Sequence, residues 1–276
     1  MTDLIKEEFL TTIKKKRFIF LTAILFIFAV VDTVTTKNDN LNDLTYMLSK
    51  QDYLWSDFSP FMGLILIFSM YRKQYTRSSI LQVENRGMKR SSGVIARFIS
   101  GSLILICCYV LMALFLILLG FVFGAHCTAQ QYGILVLMLA TDCLAAIVSY
   151  MSALFFLYLC PLFSIPALIW YGVIMYYVPD LMLKFTGYKA HSLSCFFIPR
   201  SAMDNFCTGL ILSNIKWQYL LILVPQFLVP FLLTLLVFKL KKIKEKKPRK
   251  KKGGEPDAES SEDDETAAVI AATTLI

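Results

Sequence analysis

The chain has 276 residues and a formal net charge of +8, with 57% of its residues hydrophobic, 14% aromatic and only 17% charged. A soluble domain carries nearer a quarter charged residues, so this composition excludes one and points to an integral membrane protein. A bilayer core of about 30 Å takes roughly 20 apolar residues as a helix, whose backbone groups are all satisfied internally, so long uncharged runs predict spanning helices.

In chain order, residues 1–17 come first. Ile5, Phe9 and Ile13 fall along one helical stripe, Lys6 and Glu7 lie off it, and Glu8 sits in the same segment. This pattern predicts an amphipathic helix on the inner membrane surface, able to brace a cytosolic partner, with a solvated basic leader as the alternative. Six apolar runs follow within 18–238: Phe18 to Val34, Leu54 to Tyr71, Ile99 to Phe123, Gly133 to Leu159, Phe163 to Met182 and Trp217 to Phe238. The first run is too long for a signal peptide, and no small-residue cleavage site follows at Val31-Asp32-Thr33, so it is expected to stay as an anchor. Residues 143–179 contain no charge, and the division into a fourth and a fifth span rests on length and on Pro161 and Pro166.

Charge placement sets the expected orientation. Lys14, Lys15, Lys16 and Arg17 precede the first span, the 72–98 loop carries seven Lys/Arg against Glu84 alone, and ten Lys/Arg lie between Lys239 and Lys252. The positive-inside rule puts all three in the cytoplasm, and six spans then leave both termini inside. The outer loop 35–53 fits, with Asp39, Asp43 and Asp52 against Lys37 and Lys50, whereas the outer segment 183–216 departs, with Lys184, Lys189, Arg200 and Lys216 against Asp204. Within that outer segment, Leu193 to Ile198 and Phe206 to Leu212 are too short to span and suit interfacial or re-entrant helices. Residues 239–276 form a charged tail: a basic block to Lys252, then Gly253-Gly254, then seven acids from Glu255 to Glu265. Like-charge blocks of this kind predict disorder, with the basic part lying against anionic lipid.

The residues that carry chemistry are few. No glycine-rich loop with Lys-Ser/Thr is present to cradle phosphates, and no nucleophile, base and orienter group together, so neither catalysis nor direct cofactor binding is expected. His126 and His191 lack Cys or carboxylate neighbours at metal spacing, and nothing suggests a nucleic-acid partner. Cys107, Cys108, Cys143 and Cys160 fall in or at the ends of spans, where a thiol packs as a small apolar group; Cys195 and Cys207 share an outer segment and could pair. Asp142, within the fourth span, is a costly intramembrane acid. It is either a coupling residue for a proton or cation, or a carboxyl bonded to Thr141, Ser149 or a hydroxyl on a neighbouring helix. Gly120 and Gly124, then Ala145, Ser149 and Ala153, have the fourfold spacing that lets helices approach closely. Trp55 and Trp217 mark span ends.

The most distinctive stretch is Glu84-Asn85-Arg86-Gly87-Met88-Lys89-Arg90, which fits a short helix broken by its glycine, followed by Ile95-Ala96-Arg97-Phe98-Ile99. It is similar to the Asn-x-Gly-x-x-Arg and later Lys-Phe-Ile pattern of bacterial bacitracin and lantibiotic-immunity permeases, with Arg97 in place of the usual lysine and arginine before the glycine. Together with the N-terminal helix, six spans and short outer helices, residues 1–243 resemble a type-2 ATP-binding-cassette permease. That resemblance implies an all-α membrane subunit in a bacterial cytoplasmic membrane, working as a dimer with a second permease copy or homologue. It also implies two cytosolic ATPases that carry the ATP and Mg, and export of an amphipathic cargo such as an antimicrobial peptide, drug or lipid-like molecule. In that family the loop between spans two and three is a coupling helix docked on the ATPase, which here implies Ile80, Leu81, Glu84, Asn85, Arg86, Gly87, Lys89 and Arg90. The alternatives are an ATP-independent carrier or channel using Asp142, and a membrane assembly protein without transport.

Overall fold

The computed structural model describes residues 1–38, 46, 50, 58–70, 83, 86–124, 128–159, 169, 171–173, 199–211, 214 and 216–240. Among them the chain is all-helical: α1 (Thr2–Ile13), α2 (Lys16–Asn38), α3 (Ser59–Met70), α4 (Arg90–Phe123), α5 (Ala129–Leu159), α6 (Pro199–Ile211) and α7 (Gln218–Leu240). Four of these, α2, α4, α5 and α7, are long and apolar enough to cross a membrane. Of the predicted second span, Leu54 to Tyr71, the described residues include α3, and residues 54–57 and 71 lie outside them. The predicted fifth span lies outside the described residues except at 169 and 171–173, as does the tail beyond residue 240.

Helix ends follow local chemistry. Helix α5 opens with a reciprocal box: the Gln131 N–H donates to Thr128 Oγ1 at 3.3 Å, and the Thr128 N–H donates to Gln131 Oε1 at 2.7 Å. It therefore begins at Ala129, ahead of the predicted Gly133. Helix α4 begins at Arg90 rather than Ile99, because the charges at 90–97 end the apolar run without breaking a helix. Its 34 residues extend about 51 Å, far more than a bilayer core. It ends at Gly124, whose φ of 83° makes it a left-handed C-cap. The Gly120/Gly124 spacing is thus not a helix-pairing motif; only Gly120 packs, and a Cβ there would lie 2.8 Å from the Tyr132 hydroxyl.

The helices pack around α5, which touches α3, α4, α6 and α7, and α4 runs antiparallel to it. Of the α5 span 67% is buried, against 11% of the α7 span, so α5 is central and α7 peripheral. Apolar surface gains nothing by leaving lipid for protein, so close packing of small residues has to hold such helices together. Ala145, Ser149 and Ala153 are all fully buried, as the spacing predicted. Gly101 of α4 serves the same end: a Cβ there would stand 2.3 Å from the Tyr150 hydroxyl, so α5 closes on α4 only because the side chain is absent.

Two contacts fix which helix ends lie together. Lys15 Nζ donates to the Ser69 carbonyl at 2.8 Å, joining the start of α2 to the end of α3. Arg97 near the start of α4 reaches Tyr158 at the end of α5. Phe98, the next residue, packs against Phe227 and Phe231 on either side of the middle of α7. The basic residues Lys14 to Arg17, Arg86, Lys89 and Arg97 therefore gather at one end of the bundle. At the opposite end Tyr46 donates to the Leu116 carbonyl, and buried Lys50 pairs with Asp32 while lying over the Tyr46 ring.

Helix α6 corrects one detail of the outer segment. It runs unbroken through Asp204-Asn205, with Pro199 at its first position, where a missing N–H costs nothing. Its Cys207 is a free, buried thiol hydrogen-bonded with Thr141 in α5, and Cys195, with which it could pair, lies outside the described residues.

Candidate functional site: the joint between the N-terminal helix and the basic loop

Helix α1 lies along the first turns of α4. Phe9 and Ile13 are half-buried against the protein core, so this part of the Ile5, Phe9 and Ile13 stripe packs on neighbouring helices. The periodicity correctly marks the apolar face but is silent on what covers it. With that face inward, two consecutive glutamates emerge beside it and reach two arginines far along the chain.

Glu7 accepts from Arg86 Nη1 at 2.8 Å across 79 residues, and Glu8 accepts from Arg97 Nε at 3.2 Å across 89. The two pairs differ in setting. The Glu7–Arg86 pair is open to solvent on both sides; its hydrogen bond and the Glu7 charge push the Arg86 guanidinium above its ordinary pKa. Arg97 is buried, with its side chain 8% exposed, and it also donates from Nη1 to the Tyr158 hydroxyl at 3.2 Å. The Arg97 carbonyl is held as well, by Ser100 Oγ at 3.1 Å and by the Tyr150 hydroxyl at 3.4 Å. One arginine thus ties α1, α4 and α5 together. Planar guanidinium with several donors suits that task better than the point charge of lysine.

The basic loop reaches this joint through a helix end. Met88 N–H donates to the Val83 carbonyl at 3.1 Å around Gly87, whose φ is 69°. A six-to-one bond around a left-handed glycine is the Schellman closure of a helix, so the Gly87 break expected from the sequence is a C-cap. Val83 then folds back on α4, where the absent side chain of Gly93 admits it: a Cβ there would lie 3.2 Å from a Val83 methyl. Arg86, Gly87 and Lys89 remain exposed, and Arg90 opens α4. Ile80, Leu81, Glu84 and Asn85 lie outside the described residues.

Asp142 stands apart from this joint. It is fully buried, and its Oδ2 accepts from the Tyr109 hydroxyl of α4 at 2.9 Å. That is the neighbouring-helix hydroxyl anticipated from the sequence, whereas the Thr141 hydroxyl donates to the Met138 carbonyl. The ring of Tyr109 and Cys143 help line an apolar groove of about 390 Å³ between α4 and α5. Among the described residues no cluster of His, Cys, Asp and Glu could hold a metal.

No protein-family model, curated protein or solved structure matches the chain. The site therefore rests on its own geometry.

Proposed function

We propose that this chain is the membrane subunit of an ATP-driven exporter, with ATP hydrolysed by a separate cytosolic ATPase. One observation carries the reading: α1 is clamped by Glu7 and Glu8 to both ends of the basic segment 86–97, next to a helix that ends at Gly87. A partner pushing on the 80–90 segment would move α1 and the start of α4 as one body, because buried Arg97 joins them to α5. A solvated loop that only obeys the positive-inside rule needs no such clamp.

The gathering of Lys14 to Arg17, Arg86, Lys89 and Arg97 at one end of the bundle supports a cytoplasmic N-terminus and basic loop; six spans would put the C-terminus there too. Two of these chains, or one with a homologue, would frame the path, and ATP-driven closure of two ATPases would rock the spans. The cargo is amphipathic, in keeping with the apolar groove between α4 and α5. Direction of transport comes from the family resemblance alone. The Tyr109 bond supports a structural carboxyl at Asp142, against the ATP-independent carrier. Reconstitution with a candidate ATPase tests the proposal: hydrolysis should rise when the chain is present, and an unchanged rate would count against it.

A further inference from the structure

Helix α7 carries three features that loosen a helix within one stretch. Pro225 and Pro230 each remove a backbone donor and displace the carbonyl one turn earlier. Thr234 Oγ1 donates back to the Pro230 carbonyl at 2.6 Å, a bond that bends helices. The helix is also the most exposed of the four long ones, packing on α5, α6 and α4 along one side.

What holds it at this stretch is aromatic. Phe227 and Phe231 stack on each other at 5.6 Å, and Phe98 of α4 packs on them at 5.2 and 6.5 Å. On its other side Phe98 stacks on Tyr150 at 6.4 Å. Phe98 directly follows Arg97, which Glu8 of α1 holds from outside the bundle. Of the rings that touch Phe98, Phe227 lies between the two prolines and Phe231 directly follows Pro230.

We propose that α7 is a hinged span whose hinge between Pro225 and Thr234 is set by α1, through Glu8, Arg97 and the Phe98 ring. Releasing Glu8 lets the start of α4 shift, Phe98 loses its register on Phe227 and Phe231, and the hinge opens. The device operates whether or not the chain carries cargo.

Hydrogen–deuterium exchange on the full-length chain in lipid nanodiscs tests this, comparing the unaltered protein with Glu8→Ala, Phe98→Ala and the double variant. Peptides covering Val224 to Leu235 should exchange about threefold to tenfold faster in Glu8→Ala, the range expected when a buried aromatic pair is loosened. Peptides covering Leu21 to Val30 of α2 serve as the internal reference. Phe98→Ala should match that rise, and adding Glu8→Ala to it should change α7 no further. A rise in α7 no larger than that in α2 on Glu8→Ala, whether both helices move or neither does, overturns the proposal. So does an additive double variant.

Discussion

Removing Glu8 should cost more than removing its partner Arg97, and the reason is burial. The Arg97 side chain is 8% exposed and that of Glu8 is 29% exposed. In Glu8→Ala the guanidinium remains buried beside the Tyr158 hydroxyl but has lost the Glu8 charge. Breaking a buried pair by deleting one partner costs about 3–5 kcal/mol, and the partial exposure of Glu8 lowers the expected value to about 2 kcal/mol. In Arg97→Met an apolar chain of similar length fills the space, and Glu8 turns to water, so the expected cost is about 1 kcal/mol or less. The double variant should resemble Arg97→Met alone. Thermal unfolding in nanodiscs would show this as a midpoint loss of roughly 4–8 °C for Glu8→Ala and half of that or less for Arg97→Met. An Arg97→Met loss equal to or above that of Glu8→Ala refutes the burial argument.

Gly87→Ala forces φ = 69° on a residue with a side chain, in open space, so the cost of about 1 kcal/mol is conformational and Gly87→Asn should recover most of it. Proteolysis of the 72–98 loop reports both; equal cleavage of the Ala and Asn variants speaks against a left-handed cap. Gly101→Ala drives a Cβ to 2.3 Å from the Tyr150 hydroxyl and should cost about 1–3 kcal/mol by overpacking. Combining it with Tyr150→Leu should cost less than the sum, whereas full additivity in unfolding midpoints would place the two residues apart. Asp142→Asn keeps an acceptor for Tyr109 and should lower stability by less than about 1 kcal/mol, while Asp142→Leu, which orphans that hydroxyl, should lower it by about 1–3 kcal/mol. A stable Asp142→Asn protein that has lost all transport would favour the carrier reading instead.

Much of this architecture is legible in the residues. Long uncharged runs found α2, α4, α5 and α7, since apolar length is what a bilayer selects, and Gly87 announced its helix end. Boundaries were less legible. The start of α4 at Arg90 is hidden because charge marks where a membrane ends and not where a helix ends. The joint itself could not be read, as no local pattern links Glu7 to Arg86 or Glu8 to Arg97 across such separations. Periodicity likewise found the apolar stripe of α1 but not that Phe9 and Ile13 pack on the core, because both lipid and protein cover such a stripe. Gly101 and Gly93 gave no signal of their own, since their meaning lies in Tyr150 and Val83 opposite them.

The most direct measurement of the central claim is co-purification in mild detergent of the chain expressed together with its genomic neighbours, using a Glu84→Ala/Lys89→Ala variant for comparison. Arg86 is left intact there because it holds α1 through Glu7. The account expects an ATPase bearing a phosphate-cradling loop to be recovered with the unaltered chain and lost with the variant at equal expression. Failure to recover any such ATPase with the unaltered chain contradicts it.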